Sequence, residues 1–261
     1  MCDRGGALEL DEAVELGHAW VQTLADGRGI RVLFVTGPAL ERHGLRDARA
    51  SHDVEVLVEP QRYDELCSVI AAAGWKVRPQ PSPGRTTLHT QVYRHQDWPC
   101  DLDVHSLYPG FLYDPAIVFD ELWARHEKMS FAHRPCRVPD RVSGILILAL
   151  HSLRGSSTNT GHADELEQLV RVPFTDEERA HAGAVALATG CTATLDTVLP
   201  RLGIHVDTPA TDLSSPALQE WREQTGAGTP RTSSWRLAGR EAPMRVKVRA
   251  MWASIRPRDD R

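Results

Sequence analysis

Residues 53–58 read Asp-Val-Glu-Val-Leu-Val, and this short run constrains the chain more than any other. Its β-branched, alternating composition specifies a strand. In a strand the side chains at i and i+2 leave the same face, with α-carbons roughly 6.5 to 7 Å apart. Asp53 and Glu55 therefore project together. Two like charges side by side resist burial unless a cation or open water compensates them, so this face either holds a metal or is wet. Residues 100–106, Cys-Asp-Leu-Asp-Val-His-Ser, repeat the theme: Asp101, Asp103 and His105 share one face of a second strand, and Leu102 and Val104 take the other. If the two strands are neighbours, three or four carboxylates converge. An Asp-x-Glu by itself also suits a polar strand face at a sheet edge.

Oxygen donors in such a cluster suit Mg²⁺ or Mn²⁺, and two such ions about 3.5 to 4 Å apart clamp the attacking and leaving oxygens of a phosphoryl displacement. The chemistry implied is nucleotidyl or phosphoryl transfer. Upstream, residues 30–35 read as a strand, Thr36-Gly37-Pro38 as a break, and residues 39–45 as the start of a helix. The free N–H groups and positive dipole end of a helix can hold a triphosphate. Arg42, Arg46 and Arg49 lie in the connection to Asp53, where they serve either as bidentate phosphate donors or as ordinary surface charge.

The chain has 261 residues, 41% of them hydrophobic and 25% charged, enough to bury a real core. Helical periodicity marks residues 8–24 and 63–75, and strands are expected at 87–93 and 100–106 around a turn at Asp97-Trp98-Pro99. From Pro115 onward the pattern is helical, at 117–129, 142–155, 162–171 and 175–202. Residues 208–234, rich in Thr, Ser, Gly and Pro, are expected to be a flexible segment before a last helix at 244–255. The fold class expected is α+β: a mixed β-sheet flanked by helices in residues 1–133, followed by a mainly α-helical C-terminal domain in 134–261.

The longest apolar run, 144–150, is too short to span a bilayer, and the first residues lack a basic-then-apolar signal pattern. Five scattered cysteines form no Cys-x-x-Cys pair, which argues against a disulfide framework and a structural zinc site. A cytoplasmic protein with free thiols and no membrane partner is expected. No helix carries a zinc-type His pair, and Gly-x-Ser-x-Gly is absent. His151, in an apolar helical stretch, reads as a satisfied core or interdomain histidine. The net charge is −5, yet residues 231–261 hold nine Lys/Arg against Glu241, Asp259 and Asp260. That tail reads as a solvated amphipathic helix, with attraction of RNA as the sharper alternative.

The order of features resembles the nucleotidyltransferase superfamily, which has the polymerase β-type fold. Within it the chain is most similar to an uncharacterised bacterial nucleotidyltransferase family. The family pattern runs Lys-Gly-x-x-Leu, Arg four residues ahead of Asp-x-Asp-Leu-Leu-Val, Gly-aromatic, His, and Asp/Glu-x-His. Here these stand as Thr36-Gly37-Pro38-Ala39-Leu40, Arg49 with residues 53–58, Gly74-Trp75, His89, and Asp103-Val104-His105. The chain is also similar to small antibiotic nucleotidyltransferases, which carry a His before the first carboxylate, as His52 stands here.

The resemblance implies transfer of a nucleoside monophosphate from an NTP such as ATP to a hydroxyl, with release of pyrophosphate and with Mg²⁺ or Mn²⁺ as cofactor. The acceptor is left open among a small molecule, a peptide, a protein and an RNA. Asp53 and Glu55 would bind metal, and Asp103 would complete the site and accept or direct the proton of the attacking hydroxyl. Asp101 is a further metal candidate on the same face. Thr36, Gly37, Arg42 and Arg49 would serve the nucleotide, and His89 and His105 would touch substrate or hold Asp103. Three positions depart from the pattern: Thr36 replaces Lys, Pro38 replaces the superfamily's Ser, and Glu55 replaces Asp. These departures define the alternative, a nucleotide-binding or protein-interaction module that keeps the fold without turnover.

Overall fold

The acidic run forms a strand over the length expected, β2 (Asp53–Val58), in a computed structural model that describes residues 8–79, 89–154 and 160–226. The basic tail and the expected helix at 244–255 lie outside the described residues. Before β2 come α1 (Leu10–Asp26), β1 (Val32–Phe34) and the short α2 (Pro38–Arg42). After it come α3 (Tyr63–Ala72), β3 (Lys76–Val77), β4 (Thr90–Arg94) and β5 (Asp101–His105). The strands form one mixed sheet in the order β1-β2-β5-β4-β3. Only the β2–β5 pair in it is parallel.

Alternation along β2 and β5 sends apolar side chains to one face of the sheet. There Val54, Val56, Val58, Leu102 and Val104 pack with Ala13, Val14 and Val21 of α1 and with Leu66 and Ile70 of α3. α1 starts on a reciprocal capping box between Glu9 and Glu12, which satisfies two of the N–H groups that a helix start leaves open. It comes so near the sheet at Gly17 that a β-carbon there would stand 2.9 Å from Val54 Cγ2.

Several elements differ from the sequence expectation. The helix expected at 117–129 stops early, as α4 (Pro115–Ala124), and the chain enters a hairpin of β6 (Glu127–Phe131) and β7 (Arg134–Val138). Its two-residue turn places Ala132 and His133 at φ 43° and 62°. Such a turn favours Asn-Gly or Asp-Gly, so Ala-His gives no sequence signal for it. The boundary expected between 133 and 134 falls in this turn, and both strands pack with the first half, where Phe131, Cys136 and Val138 join the α1 core. Residues 210–213 and 216–226, expected within a flexible segment, are helices α8 (Ala210–Leu213) and α9 (Pro216–Gly226). The composition hid them, but Leu218 and Trp221 are buried anchors.

The other face of the sheet, with Leu33, Val35 and Leu57, packs into a second core built from α4, α5 (Arg141–Arg154), α6 (Thr160–Arg171) and α7 (Asp176–Thr189). Asp140 caps α5 by accepting the Ser143 N–H at 2.8 Å, and residues 142–150 of that helix are buried throughout. One carboxylate ties this layer together. Glu165 of α6, 2% exposed, accepts from Arg46 Nη1 (3.0 Å) and pairs with Arg49 Nη2 (2.9 Å) and His151 Nδ1 (3.0 Å). Burial opposes its charge, but the bonds from His151 and Arg46 and the charge of Arg49 hold the carboxyl at about 2. Cys67, Cys100, Cys136 and Cys191 are buried and make no disulfide among the described residues. No helix among the described residues is long and apolar enough to cross a membrane.

The packing can be tested at two points. Gly17→Ala should lower stability by about 1 to 3 kcal/mol through overpacking, and a double-mutant cycle with Val54→Ala should recover part of that loss; additive losses in thermal melts would contradict the close approach. A carboxyl depressed in the fold contributes stability that is complete above its unfolded value near 4.5 and fades as pH falls toward 2. Denaturant titrations across that window should therefore show wild type losing on the order of 3 kcal/mol from this group. Glu165→Gln, weaker at neutral pH, should show a flatter dependence over the same interval.

Candidate active site

The register of β2 against β5 sets the site. Asp53 stands opposite Asp101, Glu55 opposite Asp103, and Leu57 opposite His105, so two rows of polar side chains run along one face about 4.8 Å apart. The two acidic strands are neighbours, as the convergence of their carboxylates requires. One donor atom each from Glu55, Asp103 and His105 lies within 4.8 Å of the other two. Asp101, at the end of the row, is engaged elsewhere: Arg78 Nη1 reaches it at 3.0 Å and Arg94 Nε at 3.2 Å. Of the two candidates on β5, Asp103 is the one grouped with Glu55.

The surroundings drive the carboxylates apart in proton affinity. Burial, reinforced by the charge of Glu55, raises Asp53 above the usual carboxylate range. Burial and the charges of Asp53, Glu55 and Asp101 push Asp103 up to about 8. Burial acts on Glu55 in the same direction, yet His105, His151, Arg154 and a bond from Thr36 together hold it below its ordinary value. Burial carries His105 down to about 4 against the pull of Glu55. Stacked carboxylates this deep need positive charge, and Asp103 keeps its proton at neutral pH unless such charge arrives.

The expected nucleotide residues separate into two groups. Thr36 is buried and lowers the proton affinity of Glu55. Gly37 turns the chain at φ 65°, ψ −139°, a conformation open to glycine and strained for other residues. A β-carbon added to Gly37 would lie 3.4 Å from Ser51 Oγ, which brings the turn up against the approach to β2. Arg49, just ahead of β2, is 45% exposed and leans on Glu165. Arg42, in contrast, is drawn to the opposite core. It bonds Glu15 and the Ser130 carbonyl and lies 4.3 Å over the Phe131 ring, so the structure does not place it with the carboxylates. α2 spans five residues, and one turn and a half of helix gives a weak dipole. His89 is buried just before β4, where its carbonyl accepts the Ser106 N–H. His52 is exposed.

Sequence reasoning missed Thr90, Arg154 and Glu165. Thr90 of β4 pairs with His105, and its hydroxyl lies 2.9 Å from His105 Nδ1. Arg154, at the end of α5, lies 5.4 Å over the Tyr108 ring, and its charge acts on Glu55 and Asp103. None of these partnerships has a spacing signature, because each joins separate elements. His151, read from its apolar helix as a satisfied histidine, bonds Glu165.

No protein-family model matches the chain, and no curated protein matches it. Among solved structures it is similar to a lincomycin-bound lincosamide antibiotic adenylyltransferase, at 14% identity and a TM-score of 0.41, over 61% of this chain and 96% of the other. It is similar to an antigenic nucleotidyltransferase-like protein from Paracoccidioides brasiliensis, at 13% identity and a TM-score of 0.46, over 77% and 97% of the two chains. It is also similar to the antibiotic-resistance factor ANT(2'')-Ia, at 15% identity and a TM-score of 0.45, over 72% and 95%. Each is a likeness only; none assigns this chain an activity or a substrate.

Proposed function

We propose that the chain is a metal-dependent nucleotidyltransferase, moving a nucleoside monophosphate from an NTP to the hydroxyl of an acceptor and releasing pyrophosphate. One observation carries this reading: Asp53, Glu55 and Asp103 are stacked on one face of two paired strands, next to the glycine turn at Thr36-Gly37. The residues present suit a divalent cation. Glu55 Oε2 and His105 Nε2 are buried without hydrogen-bond partners.

Asp53, Glu55 and Asp103 would hold Mg²⁺ or Mn²⁺, which when bound neutralises triphosphate charge and acidifies a coordinated oxygen. The chain's own residues do the rest. Thr36, buried in the turn before Gly37, helps keep the Glu55 carboxylate ionised. The positive φ of Gly37 leaves the turn free of a side chain where the phosphates approach. Arg49, on the loop into β2, offers a bidentate donor to phosphate. Asp103 would accept or direct the proton of the attacking hydroxyl once bound positive charge has displaced its own, since burial and the neighbouring carboxylates otherwise hold it protonated at neutral pH.

Radiolabelled NTPs with Mg²⁺ or Mn²⁺, followed by a pyrophosphate-release assay, test the reading. Asp53→Ala and Asp103→Asn should each reduce release by about 10²-fold or more, as for the loss of one group aimed at developing charge. An unimpaired Asp53→Ala variant would contradict the assignment, and NTP binding by calorimetry without release would favour the module that binds but does not turn over. Arg49→Ala should raise the nucleotide KM, whereas Arg42→Ala, held on the far side by Glu15 and Phe131, should change stability and leave that KM unaltered. The reverse ranking of the two arginines would show that the nucleotide enters from the other face.

A further inference from the structure

His105 sits differently from the carboxylates beside it. The side chain is 1% exposed. On one side its Nδ1 meets Thr90 Oγ1 at 2.9 Å. On the other, Nε2 has no hydrogen-bond partner and stands 3.8 Å from Glu55 Oε1, beyond hydrogen-bond range. Glu55 Oε2 is also buried and unpartnered. In the tautomer that donates Nδ1–H to Thr90, the Nε2 lone pair faces Glu55 Oε1, and two electron-rich atoms confront each other at 3.8 Å. A cation between them satisfies both. Donors about 2.0 to 2.2 Å from a shared ion lie roughly 3 to 4.4 Å from each other, and the 3.8 Å separation falls inside that interval. Asp103 supplies a third donor, all three within 4.8 Å of one another.

We propose that His105 Nε2 is itself a metal ligand, so that Glu55, Asp103 and His105 form a mixed nitrogen–oxygen site that takes Mn²⁺ in preference to Mg²⁺. This deepens the reading of the same site given above and rests on it for the cation's role. Mg²⁺ favours oxygen ligands and retained water, whereas imidazole suits first-row transition ions. Thr90 is the positioning residue: a ligating histidine is oriented by the acceptor that holds its other ring nitrogen, and the antiparallel β4–β5 register brings Thr90 directly opposite His105.

The test is spectroscopic and needs no nucleotide. Mn²⁺ alone is added to the purified full chain, and electron spin echo modulation is recorded for nitrogen coupled to the bound ion. Wild type should show coupling from a directly bound imidazole. His105→Asn should lose it and bind Mn²⁺ more weakly, with Mg²⁺ competing more effectively than in wild type. Thr90→Val should keep the coupling while weakening Mn²⁺ affinity by about 10-fold or more, as outer-shell changes do. Because the wild-type spectrum decides, a poorly folded variant does not rescue the idea. No bound Mn²⁺, Mn²⁺ bound without nitrogen coupling, or coupling that survives in a folded His105→Asn protein would each overturn it. Pyrophosphate release with uncoupled Mn²⁺ would remove this inference and leave the enzymatic reading; coupled Mn²⁺ without release would do the opposite.

Discussion

The parallel pairing of β2 with β5 in register aligns like charges, and everything else at the site depends on it. Repulsion among Asp53, Glu55, Asp101 and Asp103 works against this arrangement, so something else must fix it. The other face does. Val54, Val56, Val58, Leu102 and Val104 are all buried against α1 and α3, and each such side chain contributes about 1.5 to 3 kcal/mol. Five of them together set the register, and the proton that Asp103 keeps at neutral pH lessens the repulsion they work against. A slip of one residue in either strand would turn its whole set of side chains over. The hydrophobic face thus dictates where the acidic groups stand, and the acidic face inherits a concentration of charge that it did not select for stability.

The helical layer then makes the carboxylates unequal. His151 and Arg154 come from the last turn of α5, a helix buried along most of its length. They stabilise the ionised form of Glu55, and Arg154 only partly offsets the burial and repulsion that raise Asp103. Environments that push neighbouring acids in opposite directions separate a group that stays charged from one that exchanges a proton. Glu165 has a related effect at longer range. By holding Arg46, Arg49 and His151 at once, it joins the loop before β2 to the helices that cover the site.

Much of this was legible in the sequence where one element carried the signal. Residues 53–58 alternate polar and apolar, and the strand has the bounds that pattern gives; Asp103 and His105 share a face because their spacing is two. Legibility failed where the signal lay in the partnership of distant residues. Nothing near Arg42 in the sequence shows that Phe131 and Glu15 hold it on the far side. The β6–β7 hairpin carries Pro135 and a turn of Ala132 and His133, and a helical rhythm running through Trp123 overrode it. Leu218 and Trp221 bury a helix inside a stretch whose serines, threonines and prolines suggested a linker.

The departures at the glycine turn take on a different sense in the folded chain. Where the family pattern has a lysine before Gly37, the buried Thr36 adds no charge and lowers the proton affinity of Glu55. The positive charges that act on Glu55 come from elsewhere, from His151 and Arg154 of α5. Pro38 removes a donor, but at the first helical position that N–H has no intrahelical acceptor in any case, and a fixed φ suits the start of a helix. With α2 only five residues long, its dipole is weak. The substitutions at the turn therefore leave the stacked carboxylates of β2 and β5 in place.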